Sequence, residues 1–89
     1  MDKTKHTMYD AVGSLLNDLC VEWGFCIAPA DAEILKEEKF IEADEFACKV
    51  LIAAGMHPEH DKRWRKKIRN KFVEQFGHEI SLNEFKHIR

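Results

Sequence analysis

Eighty-nine residues supply one domain's worth of chain, and a helical domain of that size buries roughly 60–65% of its unfolded surface, enough for one core. A hydrophobic content of 45% excludes a disordered chain, and no apolar run approaches the ~18 residues needed to span a bilayer, so no membrane partner is expected. The formal net charge of −2 conceals a strong polarity: Lys62 to Lys71 carries seven cations and no acid, whereas Asp31 to Glu45 carries seven acids against two lysines.

The chain reads as a single helical domain over 1–89, with residues 1–6 polar and flexible. That N-terminus lacks the apolar stretch of a secretory signal, so secretion is not expected. Cys20 and Cys48 fall in apolar-periodic segments, and with Cys26 they read as reduced thiols of a cytoplasmic protein. The competing reading is a Cys20–Cys26 disulfide across the end of the first helix.

From residue 8 to 23, Met8, Val12, Leu15, Leu16, Leu19, Cys20 and Trp23 recur at helical spacing and predict a first helix stopped by Gly24. Phe25 to Pro29 breaks the period and reads as an extended, partly buried connector. A short helix follows from about Ala30 to Glu37, with Ile34 and Leu35 inward. Phe46, Ala47, Val50, Leu51 and Ala54 share a face of a third helix over about 43–54, closed by Gly55 in a left-handed conformation. Pro58 marks the expected start of a fourth helix, in which Trp64, Ile68, Phe72 and Phe76 recur every four residues until Gly77. Ser81 and Glu84 form a capping box for a last short helix over about 82–88. The expected core is Val12, Leu15, Leu16, Leu19, Trp23, Leu35, Phe46, Val50, Leu51, Trp64, Ile68, Phe72, Phe76 and Phe85. The fold class is therefore all-α, a bundle of four to five short helices.

Two segments repeat one pattern, I-x-x-[D/N]-E-F, at Ile41 to Phe46 and Ile80 to Phe85. Each puts an isoleucine in extended chain just ahead of a helix whose first inward residue is Phe. The pattern resembles the second half of an EF-hand over six residues per copy, and this resemblance implies that Ile41 and Ile80 pair across a minimal strand bridge. Calcium is not implied. Counted back from each isoleucine, the first, third and fifth ligand positions are Ile34, Lys36 and Glu38, or Val73, Gln75 and Gly77, which do not form an oxygen cage.

No other motif carries chemistry. His57 and His60 are three apart, with Cys20, Cys26, Cys48 and His78 elsewhere, but neither they nor the C-x5-C spacing form the close ligand pairs of a zinc site. The two histidines read as solvent-facing residues at a helix start. Ser14 and Ser81 lack a nucleophile's surroundings, and no glycine-rich loop cradles phosphate, so neither catalysis nor a cofactor is expected.

The charge block remains. On a helical wheel, Lys62, Arg63, Lys66, Lys67, Arg69 and Lys71 occupy the arc left by the apolar stripe, and these six are the candidate binding residues. They could face phosphates, with the preceding helix and the short turn at 55–57 outlining a helix-turn-helix. Glu59 and Asp61 at the start of such a second helix oppose groove contact. They could instead dock an acidic protein, or be neutralised by the Asp31–Glu45 acids. Phe25, Ile27, Phe40 and Met56, outside the main periodicity, are either a partner's anchors or the edge of the core. The expected function is a cytoplasmic, non-enzymatic protein-interaction module, with nucleic-acid binding the alternative. Acids within about 4 Å of the cations favour neutralisation, whereas a bare basic face favours phosphate.

Overall fold

The computed structural model describes residues 8–81. Helix α1 runs Met8–Trp23, α2 Pro29–Lys36, α3 Ala43–Ala53 and α4 Lys62–Phe76; strand β1 is Phe40–Glu42 and β2 Glu79–Ser81. The expected helix over 82–88, Phe85 and the N-terminal segment lie outside the described residues.

Helix α1 buries Met8, Val12, Leu15, Leu16 and Leu19 along the stripe its sequence sets out. Pro29 opens α2, where its missing N–H costs no hydrogen bond. Helix α3 ends in a Schellman motif: the Met56 amide donates to the Leu51 carbonyl at 2.8 Å and the Gly55 amide to that of Ile52 at 3.0 Å. This turn requires Gly55 at φ 84°, and Gly77 ends α4 at φ 88°, as the expected stops require.

The strands pair antiparallel with Ile41 opposite Ile80, so residues 39 apart in sequence are neighbours. Both isoleucines are buried while Glu42 and Glu79, also opposed, are exposed. A further bond from the Ala43 amide to the His78 carbonyl, 2.7 Å, ties the start of α3 to the turn after α4. The loops leading into these strands are the short segments 37–39 and 77–78. The pairing is thus the part of the EF-hand resemblance that the fold realises.

Packing places Phe46, Phe72, Leu15, Leu19, Leu51 and Ile68 at the centre, with the Phe46 and Phe72 rings 5.0 Å apart joining α3 to α4. Phe25 is buried, and Ile27 and Met56 lie against the core, so these three complete it; Phe40 stays half exposed.

The expectations need four corrections. Trp23, Trp64 and Phe76 pack on the core only partly buried, because they flank the stripe's centre. Ile34 faces outward at 61% exposure, since the eight residues of α2 bury only Leu35. Helix α4 starts at Lys62, four residues after Pro58. There the chain makes an isolated turn, closed by the His60 and Asp61 amides on the His57 carbonyl, and Asp61 (φ −105°, ψ 52°) leaves the helical region. Finally, Cys20 and Cys26 form a disulfide, because the turn at Gly24 returns the chain to bring their Cα atoms within 4.3 Å; Cys48 is the free thiol.

Candidate functional site

The basic block divides into two faces once α4 is folded. Arg65 turns toward α3 and makes a bidentate pair with Asp44, its Nε donating to Oδ1 at 3.0 Å and its Nη2 to Oδ2 at 2.7 Å. The guanidinium holds the Asp44 carboxyl below the usual aspartate range. Lys71 turns toward α1, donates to Glu22 at 2.9 Å and lies over the Trp23 ring. The candidate set loses Lys71 as an outward cation on this account.

Lys62, Arg63, Lys66 and Lys67 are exposed along the outer face of α4, and Arg69 is half-buried on its flank toward Asp44. None of these five has a carboxylate partner within 4.0 Å among the described residues. The acidic stretch does not pair with them: three of its seven carboxylates are engaged locally, and Asp44 takes Arg65. Glu33 accepts from the Tyr9 hydroxyl and pairs with Lys36, while Glu38 and Glu45 share Lys49. Tyr9 is pushed up and Glu33 down by the hydrogen bond they share.

The backbone adds to this field. Helix α4 has no acid in its first turn, so Lys62 and Arg63 sit against the partial positive charge of its N-terminus. Asp61 precedes them, but its carboxylate accepts from the His57 amide at 3.1 Å rather than capping α4. Glu59 and Asp61 therefore lie in the connector over 54–61, ahead of α4, with Glu59 near enough to act on Arg65. That connector is also longer than the three or four residues of a helix-turn-helix, so the outline drawn from sequence is not formed.

An aromatic cluster borders the basic face. Trp64 stands between Trp23, with ring centroids 5.6 Å apart, and Phe25, at 5.1 Å edge-to-face. The Lys67 ammonium is 5.0 Å from the Trp64 ring centre. Beside the cluster a cleft of about 250 Å³ opens between Trp23 and the Lys67, Asn70, Lys71 and Glu74 side chains. Trp23 was expected in the core, and Asn70 and Glu74 were not singled out from sequence. Their only sequence signal is the position of Asn70 and Glu74 one and two turns after Lys66 on the polar arc.

A second concavity, about 200 Å³, lies between α2 and α3 and is lined by Asp31, Ile34, Leu35, Lys49, Ile52 and Ala53. Ile34 and Ile52 are 61% and 63% exposed on its rim. His57 and His60 are exposed with ring centroids 5.6 Å apart, in the connector rather than at the helix start. Burial raises the Cys48 thiol above its ordinary value. Among the described residues no three His, Cys, Asp or Glu side chains gather as a metal site, and no helix is long and apolar enough to cross a membrane.

Compared with protein-family models, curated proteins and solved structures, the chain matches none of them.

Proposed function

We propose that this domain is a non-enzymatic binding module that grips a nucleic-acid backbone with the outer face of α4. The observation that carries this reading is the contrast within one helix: Arg65 and Lys71 are ion-paired, while Lys62, Arg63, Lys66, Lys67 and Arg69 are not. Five cations without a carboxylate partner on one side of a helix, with the helix N-terminus adding positive potential, suit a row of phosphates. Three acids of the 31–45 stretch, Glu33, Glu38 and Glu45, are bound by Tyr9, Lys36 and Lys49 and not by that face. This geometry favours nucleic acid over the protein partner first expected.

Salt titration tests this. Affinity for an arbitrary oligonucleotide should be measurable at about 20 mM salt and fall with a log-log slope near −4 if four cations engage, at roughly −0.9 per phosphate on duplex DNA. The Arg63→Gln, Lys66→Gln, Lys67→Gln triple variant should flatten the slope without unfolding the domain, since all three are exposed. Absence of binding where the Debye length exceeds ~20 Å would end the reading.

A protein partner is the second reading, favoured by a different place. Ile34 and Ile52 stand largely exposed over the α2–α3 cleft, an apolar seat rimmed by Asp31 and Lys49. Partner binding through that seat should be lost in an Ile34→Asp, Ile52→Asp variant and kept in the α4 triple variant. The cytoplasm remains the proposed compartment on the strength of the nucleic-acid partner, no longer on the cysteines, because the disulfide argues the other way. Rapid alkylation of cells would decide it, an intact Cys20–Cys26 bridge in most molecules overturning the cytoplasmic placement.

A further inference from the structure

We propose that the nucleic acid held by α4 is single-stranded, and that one of its bases stacks on Trp23 in the cleft beside Lys67, Asn70, Lys71 and Glu74. The inference rests on the phosphate-binding reading and specifies its substrate. The cleft combines three elements that a single strand can use together.

The first is an aromatic ring at the border of the basic face. The Trp23 indole lies against Trp64 and lines the cleft, and a base released from its own stack can lie on such a ring. Bases inside a duplex are already stacked on one another and cannot reach it. The cleft, about 250 Å³ and open to solvent, leaves room for a planar base beside that ring.

The second element is the placement of charge. Lys67 is exposed and within 5.0 Å of the neighbouring Trp64 ring, so one side chain serves both the aromatic cluster and the row formed with Arg63 and Lys66. A strand whose phosphates follow that row delivers its next base to Trp23. Lys71, held by Glu22, lies over the Trp23 ring at 5.3 Å, so an entering base shares that ring with its ammonium.

The third element is an edge that can read a base. Asn70 offers a donor and an acceptor, and Glu74, one turn on, offers acceptors only. A carboxylate there repels phosphate but accepts from a ring or exocyclic N–H, which places the base in the cleft and the backbone outside it. The platform is also prearranged. The Cys20–Cys26 bridge and the bonds from the Gly24 amide to the Cys20 carbonyl and from the Phe25 amide to the Leu19 carbonyl lock the end of α1, on which Trp23 sits.

The full-length oxidised protein should be titrated with one labelled 12-nucleotide DNA, as a single strand and as its duplex, at about 20 mM salt. The single strand should bind at least about tenfold tighter and quench tryptophan emission. Trp23→Leu should lose about 5- to 150-fold of single-strand affinity, the range for one stacked base, and leave duplex affinity unchanged. Trp23→Phe keeps a stacking ring and should retain single-strand binding, so a Leu variant that simply misfolds is recognised by its duplex binding falling too. Asn70→Ala then serves in its place, with a smaller loss confined to the single strand. Equal affinity for both probes, or wild-type single-strand binding by Trp23→Leu, overturns the stacking inference and leaves the phosphate reading standing. If neither DNA binds, both fall, and polyglutamate bound in their stead would mark the face as one for acidic protein.

Discussion

Helices α3 and α4 pack against each other, yet their N-termini are charged in opposite senses. α3 opens with Asp44 and Glu45 in its first turn, where carboxylates suit the helix dipole, and its first amide is satisfied by the His78 carbonyl. α4 opens on Lys62 and Arg63, and the carboxylate of Asp61, just before them, is turned back to the His57 amide. Neither helix has a side-chain N-cap, so charge is the main difference between the two ends. The acids of α3 serve the helix that carries them. The cations of α4 weaken theirs, and a feature that costs local stability is the kind a working surface retains.

The largest effect should come from breaking the contact that holds the two ends in one frame. Phe72→Ala removes the ring packed on Phe46 and should cost about 3–5 kcal/mol in denaturant unfolding. A cost below about 1 kcal/mol would show that α3 and α4 do not depend on this clamp.

Next comes the disulfide, which braces the aromatic border of α4 from the α1 side. Opening so small a loop should lower stability by ~2 kcal/mol and shift tryptophan emission, because Trp23 and Phe25 flank it and both pack on Trp64. Amide protection in α3 should be affected least. Equal loss of protection throughout would merge the two regions into one cooperative unit.

Gly55→Ala should cost about 1 kcal/mol and Gly77→Ala more. An added Cβ meets nothing within 4 Å at either site, so the cost is backbone strain, and Gly77 at φ 88° and ψ −167° sits where side chains are tolerated least. Thermal melts showing the larger loss at Gly55 would refute this.

Smaller still, and most direct, is exchange of the charges. Lys62→Glu should stabilise α4 by about 0.3–1 kcal/mol at low salt while weakening the proposed nucleic-acid binding, and Glu45→Lys should destabilise α3 by a similar amount. Matching signs at both sites would refute the dipole account. A related difference appears with pH. The stability that Asp44 draws from Arg65 is present above the unfolded aspartate value of about 3.9 and fades as pH falls through the lower folded value. The deficit of Asp44→Asn should therefore be largest near neutrality and vanish in strong acid.

Much of this frame was legible in the chain because helical periodicity and glycine stops act locally. The register of α1, the ends of α3 and α4, and the pairing of Ile41 with Ile80 all follow from short patterns. The start of α4 was not legible: Pro58 with two acids after it imitates a helix front, and only the Asp61 bond to the His57 amide reveals an interrupted turn. Ile34 misled because eight residues give α2 too narrow a buried face. At the site, the exposed cations could be read from the wheel, but the capture of Lys71 by Glu22 and the cleft under Trp23 arise where α1 meets α4, and no local pattern encodes that meeting.

The small sheet has a consequence for how copies of this chain meet. Among the described residues each strand has one neighbour, so each leaves a row of amides and carbonyls that could recruit a third strand. Three residues are a short template, and Glu42 opposite Glu79 places two like charges at one end of the pair. Repulsion there loosens the pair slightly but makes it a poor seed for strand-by-strand aggregation. The domain should therefore refold from denaturant without sedimenting at concentrations where a bare hydrophobic edge would not, and Glu79→Val is the substitution that should remove this protection.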